Sequence, residues 1–109
     1  MTEKLLGKIS KVHFGVYEGR FGIRITFSMG SSGVIATYLA WDPTVTPPSE
    51  FAKWTLEDQD KELALIARRV SKILDDAKVN EVYELQGKPV EVTLDGNKLE
   101  DWRILTEVL

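Results

Sequence analysis

The stretch Phe21-Gly22-Ile23-Arg24-Ile25-Thr26-Phe27-Ser28 decides the fold class, because large apolar residues alternate strictly with small or polar ones. Successive side chains of a β-strand point to opposite faces of the sheet. The spacing therefore places four large apolar groups on one face and the polar groups on the other. We predict a half-buried antiparallel strand here.

Two further strands should flank this one in a meander. Residues 5–16 alternate with a change of parity, which a β-bulge near Ser10 or Lys11 would absorb. Residues 34–41 (VIATYLAW) are apolar at both parities, which predicts a strand covered on both faces or in contact with a partner. The two connections are short and contain glycine, so consecutive strands should pair.

A long amphipathic helix is predicted from Thr55 onward. Thr55 and Asp58 have the spacing of a capping box, with Asp in place of the usual Glu. Apolar residues then recur at steps of three and four, which is typical of one buried stripe. These residues are Leu63, Ile66, Val70, Ile73, Leu74 and Ala77.

The end of the chain predicts a short helix and a hairpin. A second helix is expected at 80–85, between Asn80 as its N-cap and Gly87 as a left-handed stop. The turn at 95–96 (Asp-Gly) then joins a strand from Val90 to a return strand over 99–108.

On that return strand we expect a register slip at Glu100 or Asp101. The predicted order is βββ-α-α-ββ. The fold class is α+β, a five-stranded, mostly antiparallel sheet with the long helix packed on one face.

The composition limits both the size of the protein and its chemistry. The 109 residues predict a single domain over 1–109. With no cysteine and one histidine, thiol nucleophiles, thiolate metal sites and most histidine-based triads are excluded. We therefore expect no enzymatic activity, no catalytic residues, no metal site and no cofactor.

The charge is unevenly distributed along the chain. Residues 1–40 contain five Lys or Arg against two Glu, a net charge of +3, whereas residues 41–109 contain nine basic against fifteen acidic residues, a net charge of −6. Three excess charges are fewer than the six to ten phosphate contacts of a strong nucleic-acid binder. The chain shows no signal peptide and no membrane-spanning stretch, so we expect a cytoplasmic protein that does not bind membranes.

Arginine and aromatic residues supply the candidate binding site. Arg20 and Arg24 have even spacing and should present two guanidinium groups on one side of the sheet. The proline-bearing crossover over 42–53 is flanked by tryptophans, and tryptophan, tyrosine and arginine dominate binding hot spots. The candidate binding residues are Arg20, Arg24, Tyr17, Trp41, Phe51 and Trp54.

Two glycine-bearing segments have some of the features of an anion-binding loop. The segment 15–22 (GVYEGRFG) leads into a strand and lacks a GKS/T ending, which favours a hairpin turn over a phosphate loop. The tip at 28–33 could hold an anion on its amides, but a hairpin tip without a ligand is the favoured interpretation.

Several phrases resemble a family of small uncharacterised proteins of tailed bacteriophages and prophages. The resemblance covers nearly the whole chain, and the Gly30-Ser31-Ser32-Gly33 tip departs from the Gly-Trp-Gly stretch of the relatives. It implies no catalytic residues, and it implies a binder that blocks, diverts or absorbs a host component. The matching phrases are Phe14-Gly15, Gly22-Ile23 with Thr26-Phe27-Ser28, Lys53-Trp54-Thr55, Ala77-Lys78-Val79, residues 87–92 (GKPVEV), Asp95-Gly96-Asn97 and residues 102–108 (WRILTEV).

Three functions follow as hypotheses. The preferred hypothesis is that the chain is a non-enzymatic phage accessory protein in the host cytoplasm. It would bind a host or phage macromolecule, and a protein partner is favoured over nucleic acid. Its role would include inhibition of a host defence or regulatory factor, and self-association is a further expectation. The alternatives are a protein that sequesters a nucleotide-type signal through Arg20, Arg24 and the crossover aromatics, and a single-stranded nucleic-acid binder.

Overall fold

The computed structural model describes residues 2–42, 44 and 54–109. Over these residues the chain forms five strands, one α-helix and two short 3-10 turns. The elements are β1 (Thr2–Tyr17), β2 (Arg20–Met29), β3 (Ser32–Trp41), α1 (Leu56–Ala77), a 3-10 turn (Val82–Leu85), β4 (Pro89–Asp95), β5 (Lys98–Ile104) and a second 3-10 turn (Thr106–Val108).

The five strands form one antiparallel sheet in the order β3-β2-β1-β4-β5. The long first strand lies at the centre, because its first half pairs with β4 and its second half pairs with β2. The register shifts between Ile9 and Lys11, so the predicted bulge at Ser10 is confirmed. The α+β class and the antiparallel sheet are confirmed as well.

The core lies between one face of this sheet and α1. Ile23, Ile25 and Phe27 of β2 are fully buried, as the alternation predicted. From the helix, Ile73 and Ala77 enter the same cluster. Burying several side chains of this size stabilises a domain by roughly 1.5–3 kcal/mol each. The sheet therefore has a helix-covered inner face and an outer face turned away from the helix.

The helix begins where the capping box was predicted. The Asp58 amide donates to the Thr55 hydroxyl oxygen at 3.1 Å, and the Thr55 amide donates to the Asp58 carboxylate at 3.0 Å. The helix ends at Ala77, after which Lys78 adopts a left-handed conformation. Among the helices of the described residues, none has the length and apolar character needed to cross a membrane.

The sheet is curled, so that its two edge strands approach each other over the core. Trp102 of β5 donates its indole N–H to the hydroxyl oxygen of Tyr38 of β3 at 2.6 Å. Trp102 also packs against Phe27, with ring centroids 4.8 Å apart. The hydrogen bond joins residues 64 positions apart in sequence and connects the two ends of the sheet.

The final third of the chain differs from the prediction in two places. The expected second α-helix is a 3-10 turn over Val82–Leu85, because four residues are too few for stable α-helical hydrogen bonding. The return strand ends at Ile104 and not at Val108, since the chain turns there into the second 3-10 segment. The slip predicted on this strand is confirmed: Leu94 pairs with Leu99 and Thr93 with Asp101, which leaves Glu100 as the extra residue.

Strand β3 is covered on one face only. Val34, Ala36 and Tyr38 point to the core, whereas Ile35, with 53% of its surface exposed, lies on the outer face. The strand is an edge of the sheet. Both the core-facing and the outward residues of β3 are apolar because its outer face also carries apolar side chains, which remain exposed.

Candidate functional site

The candidate site is the outer face of the β1-β2-β3 meander. Pairing between the strands places the outward side chains in rows that run across the sheet, and three of these rows form the candidate site. The rows are His13-Arg24-Thr37, Gly15-Gly22-Leu39 and Tyr17-Arg20-Trp41.

The middle row is almost free of side chains, because Gly15 and Gly22 are direct cross-strand partners. A Cβ atom on Gly22 would overlap the carbonyl oxygen of Tyr38 and lie 2.9 Å from the Leu39 Cα. Only glycine fits at this position of β2, since the backbone of β3 lies too close for any side chain. The pair forms a flat floor between the rows above and below it.

Tyr17 and Arg24 meet across this floor. The guanidinium carbon of Arg24 lies 3.9 Å from the centroid of the Tyr17 ring. Such a contact combines cation–π attraction with stacking and contributes about 0.5–1 kcal/mol at an exposed site. It holds the Arg24 side chain over the glycine floor while the tyrosine remains 45% exposed.

A second arginine–aromatic pair lies at the end of β3. The guanidinium carbon of Arg20 is 5.2 Å from the centroid of the Trp41 ring, and the two residues are cross-strand partners. Trp41 also stacks on Trp54, with ring centroids 6.1 Å apart and planes 15° apart. Trp41 keeps 41% of its surface exposed, so it offers an aromatic surface to solvent.

Four hydrogen bonds hold Asp42, the residue that follows Trp41. The amide of Asp42 donates to the Gly19 carbonyl at 3.1 Å, and the Gln59 side-chain amide of α1 donates to the Asp42 carbonyl at 3.1 Å. The backbone amide and hydroxyl of Thr44 donate to the Asp42 carboxylate, which lowers the pKa of this carboxyl group below its ordinary value. These bonds position Trp41 in advance of any ligand.

The outer face of the meander is basic. Its outward positions over residues 8–41 hold four Lys or Arg residues and no Asp or Glu. Within the part of the chain that the structure describes, neither Arg20 nor Arg24 has a carboxylate at ion-pair distance. The four basic residues are Lys8, Lys11, Arg20 and Arg24.

The outward arginine in the other half of the sheet is neutralised. Arg103 lies 3.2 Å from the Glu91 carboxylate and 2.9 Å from the Glu107 carboxylate. These bonds raise the pKa of Arg103 and lower the pKa of Glu107. The outward arginine beside β5 is thus paired with carboxylates, whereas Arg20 and Arg24 of the meander contact aromatic rings.

A cleft of about 210 Å³ opens on the glycine floor. Its polar walls are His13, Tyr17 and Arg24, and Leu39 closes one side. The cleft therefore combines a flat floor, an aromatic ring, an aliphatic wall and a cation.

The structure brings together five of the six predicted site residues. Tyr17, Arg20, Arg24 and Trp41 share the outer face, and Trp54 stacks behind Trp41. Phe51 lies outside the described residues. The binding role of all six stays a prediction.

Gly15 and Gly22 are not among the residues that the sequence pattern predicts for the site. The segment that contains them was interpreted as a hairpin turn, and the turn itself is only Glu18 and Gly19. Two glycines seven positions apart on either side of a short turn fall opposite each other in an antiparallel pair. That spacing is the signal that could have revealed the floor.

No group of three or more metal-ligating side chains converges within residues 2–42, 44 and 54–109. Comparisons with protein-family models, with curated proteins and with solved structures find no match to this chain.

Proposed function

We propose that the outer face of the meander binds single-stranded nucleic acid. The observation that carries this proposal is the arrangement of two arginine–aromatic pairs on a face without carboxylates. Proteins that bind single strands combine a positive track for the phosphates with aromatic rings on which bases stack. Both parts are present within three adjacent strands.

The geometry supports stacking of exposed bases. Tyr17, Arg20 and Trp41 form one row across the sheet, in which the two aromatic residues lie at the ends and Arg20 lies between them. A base stacked on Trp41 would leave its phosphates beside Arg20, and Lys11 lies further along the same face. The Tyr17 ring already has the Arg24 guanidinium group on one face, so a base would contact its other face or its edge. Base–aromatic stacking contributes about 1–3 kcal/mol for each base and tolerates any sequence.

The architecture agrees with this function. A curled five-stranded antiparallel sheet whose edges approach each other resembles the partly open barrel of the oligonucleotide/oligosaccharide-binding fold. In that fold the ligand lies on the face of the second and third strands. Architecture alone does not establish function, so the proposal depends on the side chains of this face.

The proposal changes the order of the sequence-based hypotheses for an electrostatic reason. The net charge of residues 1–40 counts Glu18 and Glu3, which weaken the expected attraction for phosphate. Glu3 lies at the far end of β1 beside β4, whereas Glu18 lies in the β1–β2 turn next to Tyr17. The local field at the site is therefore set by four outward basic side chains and this one neighbouring carboxylate, more than by the net charge of residues 1–40.

The phage origin, the accessory role in the host cytoplasm and the inhibition of a host factor stay predictions. Nucleic-acid binding is compatible with such a role. A protein partner is the competing proposal for the same face, since exposed tryptophan, tyrosine and arginine also favour protein contacts.

The test is fluorescence anisotropy with a labelled oligothymidylate of about 16 nucleotides, the upper end of the site size of one small barrel. We expect saturable binding to the full chain at low salt. The logarithm of the association constant should fall with the logarithm of salt concentration with a slope of about −2 to −3, as three or four phosphate contacts require.

Two variants make the test specific to the face. Arg20→Ala should weaken binding by about tenfold, because it removes a phosphate contact and the support of Trp41. Arg68→Ala is the matched control, since Arg68 is an exposed arginine of α1 beyond the β3 edge of the sheet and belongs to none of the three rows. Absence of binding at low salt, or an equal loss in both variants, would contradict the proposal.

A further inference from the structure

We infer that the cleft above Gly15 and Gly22 is a subsite for one guanine base of the bound strand. This inference rests on the proposed function and adds a base preference to it. Tyr17 and Arg24, which form one of the two arginine–aromatic pairs, line the cleft, and the other pair, Arg20 and Trp41, lies in the next row of the same face.

The size and shape of the cleft fit a single base. Its volume is about 210 Å³, and an apolar cavity of about 150 Å³ already holds a benzene molecule. The glycine pair provides a flat floor, and Leu39 and Tyr17 provide an apolar wall and a ring. A planar heterocycle can therefore lie on the floor beside the Arg24 side chain, with its edge toward the guanidinium group.

The polar lining distinguishes between bases. Arg24 offers only hydrogen-bond donors, and its contact with Tyr17 fixes the position of its guanidinium group. Guanine presents two adjacent acceptors, O6 and N7, which are the usual partners of a bidentate arginine. Adenine places an amino group beside N7, so a donor would face a donor.

The absence of acidic side chains supports the same preference. Among the described residues that line the cleft, none is Asp or Glu. Asp and Glu are the usual side-chain acceptors for the amino group of cytosine, and the lining offers neither. His13 stands beside Arg24 as its cross-strand partner and adds a second nitrogen-bearing group on the same side.

The experiment compares oligonucleotides that differ in one central base, measured against the unmodified full chain. The probes are oligothymidylates carrying a single guanine, adenine, cytosine or 7-deazaguanine. We expect the guanine probe to bind about tenfold more tightly than the all-thymine strand. The 7-deazaguanine probe, which lacks the N7 acceptor, should lose most of that gain.

Free guanosine monophosphate provides the arm that separates a strand from a mononucleotide. It should compete only weakly with the guanine probe, because it cannot reach Arg20 and Trp41 at the same time. Equal competition by the mononucleotide would overturn the inference in favour of a small-molecule site.

The outcomes also separate this inference from the proposed function. If all probes bind equally, the guanine subsite is refuted and single-strand binding stands. If no oligonucleotide binds at low salt, both fail together.

Discussion

The guanidinium carbon of Arg24 lies 3.9 Å from the ring centroid of Tyr17, although the two residues are not cross-strand partners. Arg24 is opposite His13, and Tyr17 is opposite Arg20. The contact forms because the row between them holds two glycines, so nothing separates the ring from the guanidinium group. The pairing of Gly15 with Gly22 thus allows the contact between Tyr17 and Arg24.

Replacement of Trp41 should weaken binding without unfolding the domain. Trp41→Ala removes one stacking surface, and we expect about a tenfold loss of affinity for oligothymidylate. Trp41→Phe keeps an aromatic ring and should retain most of the affinity. Anisotropy titration measures both, with circular dichroism as the check on folding. Wild-type affinity in Trp41→Ala would exclude this ring from the site.

Gly22→Ala should destabilise the fold. The new methyl group would overlap the Tyr38 carbonyl and press on the Leu39 Cα, so β2 and β3 must separate. Overpacking of this kind costs about 1–3 kcal/mol. Chemical denaturation should show a reduced free energy of unfolding, with Thr26→Ala as the comparison at an outward position of the same strand. An unchanged stability would mean that the two strands can move apart freely.

Tyr38→Phe should lower stability through the loss of one hydrogen bond. The variant leaves the half-buried indole N–H of Trp102 without its acceptor, which costs about 1–3 kcal/mol when no water replaces it. Tyr83→Phe is the matched control, because Tyr83 is 70% exposed on the first 3-10 turn. Equal midpoints for the two variants in urea would show that the bond between the edge strands contributes nothing.

The C-terminal turn should respond to acid through Glu107. Its hydrogen bonds with Arg103 lower the pKa of the carboxyl group below the ordinary value of 4.5. A lowered pKa in the folded state means that the pair stabilises the turn above the ordinary pKa and loses this effect as the pH falls through the lowered value. An NMR titration should place the Glu107 midpoint below 4.5 in the wild type and closer to 4.5 in Arg103→Leu. Identical midpoints would show that the pair does not persist in solution.

Local patterns predicted most of the elements of this fold. The alternation around Ile23 and Ile25 and the capping box at Thr55 depend on residues close together in sequence, where sterics and hydrogen bonding are decided locally. The bulge at Ser10 followed from a change of parity within one strand.

Features that depend on long-range pairing could not be predicted in the same way. The central position of β1 and the bond between Tyr38 and Trp102 require partners far apart in sequence. The helix predicted at 80–85 was wrong: the segment is a four-residue 3-10 turn, and its N-cap is Glu81 and not Asn80.

In the candidate site, too, some features follow from local sequence and others depend on long-range strand pairing. Parity alone placed Arg20 and Arg24 on one side of the sheet, and the structure has them there. The cleft was not predictable from parity, because it depends on the register that sets Gly15 opposite Gly22. The contribution of Phe51 lies outside the described residues.

The most direct test of the account is an NMR titration of the isotope-labelled chain with oligothymidylate at low salt. Single-strand binding predicts that the amide signals of the three outer-face rows shift together, with the largest changes at Gly15, Tyr17, Arg20 and Gly22. The exposed face of α1 around Arg68 should remain unchanged. Shifts confined to the helix, or no shifts at saturating oligonucleotide, would contradict the central claim.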